Sequence, residues 1–272
     1  GYLAAPAPVL KPSFFVLAML CSRSIRAVLR PCRLVVFDKD GTLLDDAKTW
    51  APVIEQLGAR LASRVEPAQL YELLGYEPRT QHFGSRSVFM TATNNEIAEI
   101  LAAKFDAEMA TEFRRFFREL PPSAGCGAAL TPLRPLFEDL RAAGVLVGML
   151  TSDDRVFAEA FLKHHDVLDL VSASVCGDDG LAPKPSAEPL MKICERLGVD
   201  PQEAAMVGDS ADRDIGAGLA ANFGSVIGVT SGISPADELA SAGAHAVVSN
   251  ASEVLGVVRR RHAALTATWA SP

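Results

Sequence analysis

The stretch Leu34-Val35-Val36-Phe37-Asp38-Lys39-Asp40-Gly41-Thr42-Leu43 sets the reading of the fold. Four consecutive apolar residues, β-branched at the centre, are long enough for a strand and too short for a helix. The lack of alternation predicts a strand buried on both faces, as in a parallel sheet. The run stops abruptly at two carboxylates and a glycine, so a polar loop should leave the carboxyl end of that strand. Working outward, Val53, Leu57, Leu61 and Val65 recur at helical spacing. So do Ile97, Ile100 and Leu101, then Phe105, Met109, Phe113, Phe116 and Phe117. Residues 49–120 therefore predict an all-helical insertion. Its irregular piece is Gly75–Arg86, rich in turn formers.

After Pro121-Pro122 and Gly125-Cys126-Gly127, strand and helix patterns alternate. Helices are predicted over Pro132–Ala143, Asp154–Lys163, Ala187–Leu197, Asp214–Ala221 and Pro235–Ala242. Strands are predicted over Val145–Leu150, Val171–Cys176, Ala204–Val207, Ser225–Val229 and Ala246–Val248, with a final helix behind them. Such alternation means βαβ units with right-handed crossovers. The fold class expected is α/β, a Rossmann-like parallel sheet core (residues 33–48 and 121–272) carrying the insertion after its first strand.

The chain has 272 residues, 49% of them hydrophobic, with a net charge of −7. That supports a sizeable core and excludes disorder and collagen-like structure. An acidic balance argues against nucleic acid as a partner. The apolar run Phe14–Cys21 is too short to span a membrane. Residues 1–37 hold no Asp or Glu but carry Lys11, Arg23, Arg26, Arg30 and Arg33. The remaining 21 basic and 33 acidic residues leave −12 on the rest of the chain. Residues 1–32 thus read as a targeting segment of mitochondrial or plastid type, or else as a disordered tail. Five scattered cysteines without a CxxC pair fit a reducing, intracellular compartment and give no zinc signature.

Ligands of open parallel sheets bind beyond the carboxyl ends of the strands. The predicted strands end at Asp38-Lys39-Asp40-Gly41-Thr42, at Thr151-Ser152, and at Gly208-Asp209-Ser210 with Asp214 behind. Lys184 lies in the loop Gly177–Pro185. Each piece alone is commonplace. Together they bring carboxylates, hydroxyls and one lysine to one edge. Clustered carboxylates call for a hard divalent cation, Mg²⁺ above all. A carboxylate can attack phosphorus, and a second can move the proton. Lysine and hydroxyl groups can hold phosphoryl oxygens. Lys39 should alternate away from its two neighbouring aspartates, and Asp153 and Asp154 read as helix N-caps.

These motifs resemble those of the haloacid dehalogenase superfamily, in particular phosphatases with a helical cap of the phosphoglycolate phosphatase kind. Phe37–Leu43 looks like the first motif, Thr151 the second, Lys184-Pro185 the third and Gly208–Asp214 the fourth. The insertion would then be the cap. The resemblance implies that Asp38 is the nucleophile and Asp40 the general acid and base. It implies that Asp38, the Asp40 carbonyl and Asp209 hold Mg²⁺, with Asp214 and Ser210 ordering that site. Thr151, Lys184 and Ser152 would hold the phosphoryl group, with Gly41 and Thr42 shaping its loop. Dehalogenases of the superfamily lack a carboxylate at the position of Asp40, so phosphoester chemistry is implied. The expected activity is hydrolysis of a small phosphorylated metabolite, with phosphoglycolate as the candidate substrate. The alternatives are a sugar phosphomutase of the same superfamily and a catalytically silent binding module. Arg79 and Arg86, among the turn residues of the insertion, are candidates for contacting a substrate carboxylate.

Overall fold

The computed structural model describes residues 31–269. All but the last two residues of the targeting segment proposed above lie outside them. Six strands form one parallel sheet: β1 (Leu34–Phe37), β4 (Leu146–Leu150), β5 (Val171–Val175), β6 (Ala204–Gly208), β7 (Ser225–Val229) and β8 (Ala246–Val248). Their spatial order is β5-β4-β1-β6-β7-β8. The chain therefore winds outward from β1 in both directions, and the strand order reverses between β1 and β6. A crevice opens at the carboxyl ends of strands flanking such a reversal. Register is set by pairs such as Phe37 with Met149 on one side and Phe37 with Val207 on the other. β1 and β6 are buried at every residue, as unbroken apolar runs demand.

Helices cover both faces. One face packs Phe37, Leu136, Phe137, Leu140, Phe161 and Val258 together. The other packs Val36, Leu190, Ile193, Met206, Ile215 and Leu239. The expected elements after residue 121 are all present, with ends shifted by a residue or two, except one. The helix predicted over Asp214–Ala221 starts three residues earlier, as a π-helical turn over Ala211–Ile215, and continues as the short α-helix Gly216–Ala220.

Residues 46–119 hold α1 (Asp46–Leu61), α2 (Pro67–Leu74), α3 (Val88–Thr91), α4 (Asn94–Lys104) and α5 (Ala107–Glu119). They bury a core of their own, built on Trp50, Ile54, Leu57, Leu101, Phe113 and Phe117. Capping is explicit. Asp45 accepts the Lys48 N–H, Asp106 accepts the Met109 N–H, and Thr93 with Glu96 forms a reciprocal capping box. The expectation of an all-helical insertion is corrected here. Tyr76–Glu77 and His82–Phe83 pair as a small antiparallel hairpin, β2 and β3. Two-residue strands are too short to show alternation, and Tyr76 and Phe83 hold the hairpin down through ring contact at 5.0 Å.

Candidate active site

The first strand delivers Asp38 to the sheet edge. Its N–H continues the ladder to the Val207 carbonyl at 2.9 Å. The chain then turns tightly, with the N–H groups of Thr42, Leu43 and Leu44 all directed at the Lys39 carbonyl. Gly41 has φ +72, and a Cβ there would lie 2.4 Å from an oxygen of Asp209. Only glycine lets the loop pass this close.

Three groups meet beside Asp38. Lys184 Nζ donates to Asp38 Oδ1 and to Asp214 Oδ1, each at 2.7 Å. Asp214 Oδ2 accepts the Ser210 N–H at 3.0 Å. Asp209 is held by the Thr42 hydroxyl at 3.2 Å and by the Ile233 N–H at 2.9 Å. Carboxylate oxygens of Asp38, Asp209 and Asp214 lie within 4.8 Å of one another, all buried. Burial, opposed by Lys184 and reinforced by Asp214 and Asp40, pushes Asp38 up to about 8. Burial, Asp214 and Asp38 push Asp209 up as well. Lys184 also rises, since Asp214 and Asp38 outweigh the desolvation that opposes its charge. These directions are consistent. One ammonium is oversupplied with carboxylates, while the three carboxylates are short of positive charge. A buried, oxygen-only donor set with excess negative charge fits Mg²⁺.

Asp40 faces a different environment. Its Oδ1 accepts from Trp50 Nε1 at 2.6 Å and from Lys39 Nζ at 2.8 Å. Lys39 is fully buried and also pairs with Asp153 at 2.9 Å. The expectation that Lys39 turns away from both aspartates is therefore corrected. The turn begins at Lys39 itself, so strand alternation has already ended, and its long stem curls back to Asp40. Asp153 likewise is not a helix cap: it is the second partner of Lys39, and burial followed by Asp40 raises it to about 7. Asp154 occupies the N-cap position but receives its side-chain bond from Asn94 at 3.0 Å rather than capping the helix Arg155–His164. Sequence reasoning also missed Trp50. For the pairing of Lys39 with Asp40 and Asp153, the available signal was a lysine inside a buried strand-end motif, which requires carboxylate partners.

Replacing Lys39 by Met should leave Asp40 and Asp153 buried beside each other without a counter-charge. Removing one partner of a buried ion pair costs about 3–5 kcal/mol. Urea unfolding would measure this. Adding Asp153→Asn should recover part of the loss, and an unchanged midpoint for Lys39→Met would contradict the reading.

Thr151 follows β4 directly, buried, with its hydroxyl oxygen accepting the Asp153 N–H at 3.1 Å. The hydroxyl hydrogen is thereby free for an oxygen in the site. Ser152 donates to the Thr91 carbonyl at 3.2 Å, and Ser210 caps the π turn through the Arg213 N–H. Arg213 binds Glu96 at 3.2 Å and the Lys184 carbonyl, tying the insertion to the third motif. A cleft opens over Asp38 and Asp40, bounded by Trp50, Phe89, Met90, Ala92, Asn94, Phe117, Ser152 and Asp153. The structure thus brings the core-motif residues together. It does not bring Arg79 or Arg86 to them: both are exposed near the hairpin and line no part of this cleft.

The profile of the haloacid dehalogenase-like hydrolases matches residues 32–222. The chain belongs to that family. Among curated relatives, it is 27% identical over 231 residues to N-acetylmuramic acid 6-phosphate phosphatase of Pseudomonas aeruginosa, covering 84% of this chain and 95% of that one. It is 27% identical over 242 residues to phosphoglycolate phosphatase of Salmonella paratyphi A, covering 78% and 86%. Of solved structures, a predicted phosphatase from Clostridium acetobutylicum superposes with TM-score 0.63 at 23% identity, over 85% of this chain and 100% of that one. The enzyme class implied by the motifs, a phosphatase within this family, agrees with these findings. Among the described residues, no helix is long and apolar enough to cross a membrane.

Proposed function

We propose that this chain is a Mg²⁺-dependent phosphatase that hydrolyses a small phosphorylated metabolite through an aspartyl-phosphate on Asp38. The observation that carries the reading is the contrast between two carboxylates of one loop. Asp38 sits in the carboxylate cluster on Lys184, and Asp40 sits apart on Trp50 and Lys39. Two carboxyl groups in distinct environments can take distinct roles.

Asp38, Asp209 and the Asp40 carbonyl would hold Mg²⁺, with Asp214 beside them; when bound, it supplies positive charge to the phosphoryl oxygens. Lys184, the Thr151 hydroxyl and the Ser152 N–H orient the phosphoryl group. An Asp38 oxygen attacks phosphorus, the ester P–O bond breaks, and protonated Asp40 gives its proton to the leaving oxygen. Water then yields a proton to Asp40 as its oxygen attacks phosphorus. The Asp38–phosphorus bond breaks, releasing phosphate and restoring both carboxyl groups. The apolar wall of Trp50, Phe89 and Phe117 would keep other water away from the phosphorylated aspartate.

Phosphate release from p-nitrophenyl phosphate and from phosphorylated metabolites, with and without Mg²⁺, tests the reading. Full turnover in excess chelator would contradict it. An isomerised sugar phosphate in place of free phosphate would indicate the mutase instead.

A pH-dependent metal response follows from the same cluster. Asp38 binds its proton more tightly in the folded state (about 8) than at its ordinary value of 3.8, and Asp209 shifts in the same direction. The folded state thus holds more protons than the unfolded one across that interval. In chelator, stability should fall as pH rises from about 4 to about 8. Mg²⁺ competes with those protons, so the rise in Tm on adding it should be larger at about pH 8 than at about pH 5. A hundredfold excess over Kd corresponds to about 2.7 kcal/mol. Thermal unfolding at both pH values checks this, and an equal or reversed Mg²⁺ response would contradict it.

A further inference from the structure

We infer that the cleft selects phosphate esters whose leaving group is uncharged, and discriminates against leaving groups that carry a carboxylate. The inference rests on the phosphatase reading and concerns the part of the substrate beyond phosphorus. Among the described residues, no Arg, Lys or His lines the cleft. Lys39 is sealed behind Asp40 and Asp153 with no exposed side-chain surface, and Lys184 is committed to Asp38 and Asp214. Arg213 turns to Glu96 and the Lys184 carbonyl.

What the wall does offer is aromatic and neutral. Phe89 packs against both Trp50, at 5.9 Å, and Phe117, at 6.1 Å. Aromatic faces carry negative potential and repel an anion. Asn94 and Ser152 supply neutral hydrogen-bonding groups, which suffice for a hydroxyl and do not replace an ion pair. A carboxylate placed here would lose water, meet no cation and face Asp40 and Asp153.

The matched pair for the test is 2-hydroxyethyl phosphate and phosphoglycolate, which differ by CH₂OH in place of the carboxylate. In the wild type with Mg²⁺, kcat/KM should favour the hydroxyethyl ester by about tenfold or more, the scale of one missing charged hydrogen bond. Met90→Arg places a cation on the wall without touching the catalytic groups, and the Met90 N–H stays bonded to Ser87 Oγ. This variant should shift the ratio toward phosphoglycolate by a comparable factor, and detectable p-nitrophenyl phosphate turnover shows that it is folded and active. Met90→Gln, of similar length and neutral, should leave the ratio where it was. Equal or faster wild-type turnover of phosphoglycolate would overturn the inference while leaving the phosphatase reading intact, and this holds even if a variant fails to fold. An unmoved ratio in folded, active Met90→Arg would remove the cleft wall as its basis. Absence of turnover of any ester, p-nitrophenyl phosphate included, would overturn the phosphatase reading and this inference with it.

Discussion

Asp38→Asn is expected to abolish turnover while yielding a folded protein that is, without metal, at least as stable as its parent. An amide oxygen is a poor nucleophile, so no phosphorylated intermediate forms. The stability expectation comes from the cluster. Burial first, then Asp214 and Asp40, raise Asp38 to about 8 against the pull of Lys184. Ionising it at neutral pH therefore works against folding. An amide of nearly the same shape does not ionise, and Lys184 keeps Asp214 as its counter-ion at 2.7 Å. The advantage of Asn over Asp should grow as pH rises from about 4 to about 8 and level off above. Activity assays and thermal unfolding in chelator measure the two parts separately. Near-normal turnover by folded Asp38→Asn would rule out the covalent route. A marked loss of stability would mean that Asp38 and Lys184 support the fold more than the surrounding carboxylates strain it.

Asp40→Asn should slow hydrolysis of an alkyl phosphate by about 10²–10⁴-fold, the usual worth of a positioned acid and base. The fold should persist: Trp50 Nε1 can donate to the amide oxygen as it does to Asp40 Oδ1 at 2.6 Å, and Lys39 retains Asp153 at 2.9 Å. The leaving group divides the effect. Nitrophenolate departs without a proton, so p-nitrophenyl phosphate should still phosphorylate Asp38. Water attack, lacking its base, should then lag, giving a burst of one equivalent followed by a slow phase. An undiminished steady rate on the alkyl ester would remove Asp40 from the proton path.

Much of this was open to reading in the linear sequence because the signals are local. The run Leu34–Phe37 specifies a strand buried on both faces, and the break at Asp38 marks its carboxyl edge. Strands and helices after residue 121 announce themselves by period and by Gly and Pro punctuation. A parallel sheet built from such units must gather its strand ends on one side. That consequence alone predicted the meeting of Asp38, Thr151, Lys184, Asp209 and Asp214.

Other features had no local signature. The hairpin of Tyr76–Glu77 and His82–Phe83 exists because Tyr76, Phe83 and Phe89 pack in the core of the insertion, not because its two-residue strands carry a pattern. Arg79 and Arg86 drew notice by residue type, yet the hairpin leaves them exposed and away from the cleft. Local sequence pattern therefore indicated the fold and which residues gather at the sheet edge, since periodicity and strand-end position are properties of neighbouring residues. The charge of the cleft wall, and the partnership of Lys39 with Asp40, Asp153 and Trp50, were decided only by tertiary structure. A buried lysine's free energy depends on which distant carboxylates the packed chain brings within a few ångströms, and no spacing along the sequence records that.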